Sequence, residues 1–207
     1  MPPNQDPSPL RLEPATLADL PALTSLWYNA FTTPSMRTIW PDTPGVRQWW
    51  HDANEHDMRH KPREKYLKVI DTSQNDRIVA YAKWSLQTAE ERGARWPPWH
   101  ADMDPVHNDK FLKQLETYRE ELVGGGRANY YLDMLATHTD YRRMGAARLL
   151  LEWGCRVADQ DGVPVYIDAS QAGKPVYERF GFEDRSHVFG DTGALAPMVR
   201  EPVKQQA

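Results

Sequence analysis

The residues best placed to do chemistry lie in one run, Thr137-His138-Thr139-Asp140-Tyr141-Arg142-Arg143-Met144-Gly145-Ala146-Ala147-Arg148. A helix starting at Gly145 presents backbone N–H groups without partners and the positive end of its dipole. The small residues Gly145, Ala146 and Ala147 let an anion reach those groups, and Arg142, Arg143 and Arg148 add charge beside them. The chemistry this allows is the holding of an anion such as a phosphate. The plain alternative is an ordinary helix start with surface arginines. The run is neither a dinucleotide fingerprint nor a nucleotide-triphosphate loop, because it has no G-x-G-x-x-G and no Gly-Lys-Ser/Thr.

Other reactive residue types read more simply. His56 and His60 stand four apart on a predicted helix, the spacing of a metal pair, but no third ligand is evident and Arg59 lies alongside. They read as a solvated helix face, and no metal is expected. Cys155 is the one cysteine, so no internal disulfide can form and a reducing, cytoplasmic setting is expected. It sits in a predicted helix as a small packing residue. The chain of 207 residues carries a net charge of -4 and no basic run, which speaks against nucleic-acid binding. No apolar run approaches the ~20 residues of a membrane span, and the proline-rich start has no apolar core of a secretory signal.

The elements that must position the run alternate in type. Leu10 to Ala15 reads as a strand. Thr16 to Asp19 reads as a capping box before a helix with Leu20, Leu23, Trp27, Ala30 and Phe31 on one face. A second helix begins at Thr43-Pro44 and carries Val46, Trp49, Trp50 and Ala53. Lys65 to Asp71 and Ile78 to Leu86 form a hairpin about Ser73-Gln74-Asn75-Asp76. Residues 88–107 are irregular, and a helix from about Asn108 to Val123 stops at Gly124-Gly125-Gly126. Asn129 to Thr137 is a strand, Gly145 to Gln160 a helix, Val163 to Ala169 a strand and Lys174 to Phe180 a short helix. Phe182 to Phe189 and Ala194 to Arg200 complete the set as strands. The sum is a mixed α/β sheet with helices on both faces. The expected organisation is a single domain over 10–202, with an insertion at 88–126 and tails at 1–9 and 203–207.

The run from Tyr131 to Leu151 closely resembles motif A of the GNAT superfamily of acyl-CoA N-acyltransferases. Arg142, Gly145 and Ala147 stand where that motif has Arg or Gln, then Gly, then Gly or Ala. Val163-Pro164-Val165-Tyr166-Ile167-Asp168-Ala169-Ser170 is similar to the family's fifth strand, and Val176-Tyr177-Glu178-Arg179-Phe180-Gly181-Phe182 to its Tyr-x-x-x-Gly-Phe ending. The opening, Arg11 to Thr16 with Asp19-Leu20, is similar more loosely. Thr139 stands where the family often has Pro, and Ser170 and Gln171 stand near a frequent Asn.

The resemblance implies a mostly antiparallel sheet with splayed fourth and fifth strands, and acetyl-CoA as acyl donor. Its pyrophosphate would lie on residues 142–148 and its arm along Leu135, Ala136 and Thr137, with Ser170 and Gln171 on the other side. It implies direct attack by an amine, an oxyanion met by a backbone N–H near Ala136, and Tyr177 as the acid that protonates the thiolate. A packing role for Tyr177 is the alternative. Asp133 and His138 are candidate bases, beside a water chain. Trp96 and Trp99 are candidate walls of an acceptor site, or caps on the core. The acceptor is expected to be a small-molecule amine and the protein a monomer or homodimer, with no nucleic-acid or membrane partner. A CoA-binding accessory module without turnover and a protein-directed acetyltransferase are the competing functions.

Overall fold

The computed structural model describes residues 8–203; most of the first expected tail and all but Val203 of the last lie outside the described residues. The chain opens with β1 (Leu10–Pro14), and the Asp19 carboxylate accepts from both the amide and the hydroxyl of Thr16 as the chain turns into α1 (Leu20–Ala30). Then come α2 (Pro34–Ile39) and α3 (Pro44–His60), the latter capped by the Thr43 hydroxyl on the Val46 amide. The hairpin of β2 (Glu64–Asp71) and β3 (Arg77–Ser85) follows. The insertion holds α4 (Ala89–Arg92) and α5 (Pro105–Val123). The second half runs β4 (Tyr130–Thr137), α6 (Ala146–Asp161), β5 (Val165–Ser170), α7 (Lys174–Glu178), β6 (Glu183–Asp184) and β7 (Leu195–Arg200).

The strands form one seven-stranded sheet in the order β1-β2-β3-β4-β5-β7-β6. Every neighbouring pair is antiparallel except β4 and β5, which are parallel and pair only at Tyr130↔Val165 and Tyr131↔Tyr166. Beyond those two positions the strands part, as the resemblance implied. The sheet is therefore two antiparallel halves joined at a short seam.

The strand expected over Phe182 to Phe189 is only Glu183–Asp184, because the Asp184 carboxylate accepts from the Ser186 amide and hydroxyl and turns the chain into a 3-10 turn at Ser186–Val188. The stretch 88–107, expected to be irregular, holds α4, which Thr88 caps. Two further differences also have local causes. The helix α2 was not expected: six residues are too few for an apolar period to show. The helix α5 starts at Pro105 rather than Asn108, because the Asp104 side chain caps the amides of Val106 and His107 and Pro105 fills the first helical position.

Each face of the sheet is covered. On one side α6 packs on the first four strands, burying Leu150, Leu151, Cys155 and Ala158 against Leu67, Val79, Ala82, Trp84 and Leu132. Burial pushes the Cys155 thiol up to about 11, which keeps it a neutral packing group. On the other side α1 and α3 lay Leu23, Trp27, Val46 and Trp50 over Tyr66, Tyr81 and Ala136. The helix α5 covers the second half through Tyr118 and Val123 on Tyr131, Tyr166 and Val199.

The α6 contact depends on Gly154. A methyl group there would fall inside the Trp84 ring, which is itself fully buried. Overpacking costs ~1–3 kcal/mol, against a gain of about 1 kcal/mol from putting Ala in a helix, so Gly154→Ala should lose up to roughly 2 kcal/mol of stability. Denaturant unfolding measures it; an unchanged midpoint would mean that the indole can move aside.

Candidate active site

The run expected to hold an anion lies where β4 leaves the sheet. After Thr137 the chain makes a short 3-10 turn, Thr139–Tyr141, and reaches α6 through two residues at positive φ, Arg143 at 63° and Gly145 at 95°. The first return bond of the helix runs from the Leu149 amide to the Gly145 carbonyl at 3.3 Å. The amides of Ala146, Ala147 and Arg148 precede it and have no acceptor on the helix. Ala146 is buried under the sheet, whereas Gly145 is exposed, and a Cβ at Gly145 would meet nothing within 4 Å. Thr137, at the end of the splayed edge, has a buried hydroxyl without a partner. Open space, unspent amides and an orphaned hydroxyl at the strand end fit a pyrophosphate with its arm running back along β4. The arginines differ in role. Arg143 and Arg148 are exposed, Arg148 beside Glu152 at 3.0 Å, while Arg142 donates to the Ala30 carbonyl at 2.9 Å and ties the loop to the end of α1.

The seam leads from this loop into the sheet. From Leu132 to Thr137 the β5-facing edge of β4 has no strand partner, so its backbone groups are open to a ligand. Ala136 and Leu135 lie on this stretch; Ala136 faces the α1 side and Leu135 the α6 side. Tyr177 stands on α7 below the end of β5, edge-on to Phe182 with centroids 5.8 Å apart. It is 7% exposed, burial raises its pKa, and its hydroxyl makes no hydrogen bond among the described residues. Ser170 is spent locally: its carbonyl and hydroxyl accept from the Gly173 amide at 2.9 and 3.1 Å. Gln171 is exposed beside it.

The two candidate bases have other work. Asp133 sits at an irregularity of β4, where Lys83 pairs with Met134 and Trp84 with Leu132, leaving Asp133 as the extra residue. This bulge breaks the parity read from the sequence: Asp133 shares a face with Tyr131 but not with Leu135. Its carboxylate meets Arg95 in a short contact, Lys83 at 3.2 Å and Arg92 at 3.5 Å, with its side chain 1% exposed. Burial alone would raise its pKa, yet Arg95, Lys83 and Arg92 hold it well below the usual carboxylate range. A sealed carboxylate held ionised by three cations is a poor acceptor of a proton from substrate. Lys83 also meets Asp57 at 2.6 Å, so the network runs through the core. His138 has both ring nitrogens engaged near the loop, Nδ1 with the Asp140 amide at 3.2 Å and Nε2 with Arg77 at 2.9 Å. It caps the 3-10 turn before α6, away from the seam.

Trp96 and Trp99 cap an aromatic cluster. Trp96 packs against Trp50 at 5.0 Å and Trp49 at 5.5 Å; Trp99 packs against Trp49 at 5.6 Å and donates its indole N–H to Asp109. Neither lines a cavity of about 410 Å³ among the described residues. That cavity lies between α2, α5 and the loop before β7. Ile39, Phe111, Leu115, Tyr118, Thr192 and Leu195 form much of its wall. The insertion thus reaches the cavity through α5, not through its tryptophans.

One carboxylate was missed by the sequence reading. Asp168 lies on β5, two residues past the seam, and Leu195 in the cavity wall pairs with Ser170 two residues further on. It accepts from the Tyr166 hydroxyl at 2.6 Å and the Tyr131 hydroxyl at 3.0 Å. Burial pushes it up to about 6. The signal was available: an acid alone in the apolar run Val165-Tyr166-Ile167-Asp168-Ala169 must find partners.

Known proteins share this architecture. Residues 100–201 match the family model described as an acetyltransferase (GNAT) domain. An acetyltransferase of Stachybotrys chartarum is 27% identical over 157 residues, 69% of this chain and 67% of the relative. The match spans about a third of two further fungal relatives, 32% and 33% of their lengths. A solved structure from Corynebacterium glutamicum, titled as a histone acetyltransferase and related acetyltransferase, aligns with a TM-score of 0.62 at 18% identity, over 96% of this chain and 99% of the other. A GNAT family N-acetyltransferase of Escherichia coli in complex with CoA aligns at 0.54 and 17% identity, over 96% and 84%.

The loop has a direct test. Gly145→Glu should abolish acetyl-CoA binding in calorimetry while the protein stays folded, because the carboxylate would enter the open space before the amides and repel an anion there. Gly145→Ala is the control for backbone strain at φ 95°, which costs a non-glycine residue about 1–2 kcal/mol. Wild-type affinity in Gly145→Glu would move the pyrophosphate elsewhere.

Proposed function

Because this chain belongs to the GNAT superfamily of acetyltransferases, we propose that it transfers an acetyl group from acetyl-CoA to the amine of a small-molecule acceptor, by direct attack with both bound. The observation that carries this reading is the seam. One end of the unpaired β4 edge meets the anion-holding loop, and across the gap β5 leads to the cavity. A donor laid along β4 would bring its thioester between the two. The amides of Ala146, Ala147 and Arg148 hold the pyrophosphate, the β4 edge near Ala136 receives the arm and the acyl oxygen, and the cavity receives the acceptor.

The cavity of about 410 Å³ suits a small molecule better than a protein tail, since small-molecule sites run to ~300–1,000 Å³ with mostly apolar walls. Two polar groups in its lining, the Tyr118 hydroxyl and the Gln114 amide, bond to each other at 2.6 Å. Release of free CoA with a panel of amines tests the reaction. Binding of acetyl-CoA with no release on any amine would favour an accessory CoA-binding module.

Tyr177 supplies the proton that the departing thiolate needs. Its buried phenol stays neutral and its hydroxyl is unspent. Tyr177→Phe should lower kcat by ~10²–10⁴-fold, the usual worth of a general acid, and leave acetyl-CoA affinity nearly intact because the ring is kept. An undiminished kcat, with chemistry shown to be rate-limiting, would remove Tyr177 from the mechanism.

A further inference from the structure

We propose that Asp168 is the group that takes the proton from the attacking amine; the inference rests on the transferase reading above and assigns the base which that reading leaves open. Asp168 stands at the widening gap between β4 and β5, two residues beyond the last pair, beside the stretch where the thioester would lie. Its strand partner is Pro197, and the next position on the same face, Ser170↔Leu195, reaches the cavity wall. The residue is half-buried, and the hydroxyl of Tyr131 on β4 reaches its Oδ2 at 3.0 Å, so the carboxyl lies against the neighbouring strand at the seam.

Its surroundings position it without using it up. Tyr166 donates to Oδ1 and Tyr131 to Oδ2, one bond to each oxygen, which leaves further lone pairs on both. No cation pairs with it among the described residues, whereas Asp133 has three. Charged and titratable groups face it from several elements. Tyr166 stands on its own strand, Tyr131 and Asp133 on β4, and Arg95 on the insertion. From α5, Arg119 lies 4.8 Å from the centre of the Tyr131 ring and Tyr118 packs on Tyr131 and Tyr166. Burial and Asp133 push the carboxyl up, while Tyr166, Arg95 and Tyr131 pull it down, and the balance falls at about 6. At neutral pH it is ionised, with a conjugate acid weak enough to make it a competent base.

The step balances. The amine proton passes to a carboxylate oxygen of Asp168, and the nitrogen lone pair forms the bond to the acetyl carbon. The carbon–sulfur bond breaks with its electron pair on sulfur, which takes a proton from Tyr177. The proton on Asp168 leaves to solvent, and solvent restores Tyr177.

The experiment measures CoA release against pH, with amines and with water alone, for the wild type, Asp168→Asn and Tyr131→Phe. The wild type should show an acid limb, activity rising with pH through about 6 as Asp168 ionises. Asp168→Asn should lose ~10²-fold or more in kcat with that limb gone, at unchanged acetyl-CoA affinity. Tyr131→Phe removes a donor that favours the charged form, so the limb should move to higher pH; a merely structural tyrosine would not shift it. A wild-type kcat in Asp168→Asn, or an unmoved limb in Tyr131→Phe, overturns the assignment. Should no amine be accepted by the wild type, the transferase reading fails. The slow loss of acetyl to water, which needs the same proton removed, then judges Asp168 separately: its limb vanishes in Asp168→Asn or the assignment falls. If Asp168→Asn does not fold, the Tyr131→Phe limb decides.

Discussion

Two neighbouring strands that stop pairing after two residues set the terms for the rest of this fold. Backbone groups in a sheet interior must find partners, because leaving them buried and unpaired is costly. Here β4 is bonded to β3 at six positions and β5 to β7 at six, so the outer edge of each strand is committed. Neither strand can turn to close the gap without breaking a ladder elsewhere. The Tyr130 amide bonds to Pro164 at 2.9 Å just below the seam and holds the closed end. The open end keeps a row of donors and acceptors that only a ligand or water can meet; the loop before α6 continues from it, and Leu195 of the cavity wall pairs with Ser170 at the end of β5.

The insertion answers a second consequence of the split. The helices α1 and α3 cover the first half of the sheet, and the face of the second half would be bare without α5. Covering it brings three guanidinium groups against one aromatic ring: Arg92, Arg95 and Arg119 lie 5.4, 5.0 and 4.8 Å from the Tyr131 centroid. Burial, and then the charge of Arg92, draws Arg119 down to about 10. Such a concentration of positive charge stands only with counter-charge nearby, and Asp133 supplies it. Removing one partner of a buried pair typically costs ~3–5 kcal/mol, which makes the network a condition for seating the insertion.

Most of the architecture was legible in the sequence because each element carries its own mark. Thr16 with Asp19, Thr43 with Pro44 and Gly124 to Gly126 announce helix ends, and the parting of the fourth and fifth strands came with the family resemblance. What was not legible depends on neighbours distant in sequence. The bulge at Asp133 has no local signature, and it reverses which side chains share a face beyond it. The pair Trp96 and Trp99 has no regular period, which suits a binding wall and a core cap equally well. The packing of both rings on Trp49 and Trp50 of α3 appears only once the fold brings the two segments together. Asp168 stayed hidden because an acid in an apolar strand has a meaning only once its partners are known.

The contrast between Asp133 and Asp168 shows how position within one gap divides the labour of two identical side chains. Each lies two residues past the seam, one on each strand, and each is desolvated. Asp133 meets point charges from Lys83, Arg92 and Arg95, which favour its ionised form strongly enough to overcome burial. Asp168 meets two neutral hydroxyls, whose pull is weaker than the penalty of burial, so its carboxyl rises while Asp133's falls. Arg95 contributes to both, bonding to one and acting on the other through space. A cation that satisfies Asp133 therefore also keeps Asp168 from rising further. The network that seats the insertion is thereby coupled to the carboxylate at the mouth of the gap, and the folding requirement and the chemistry share one arginine.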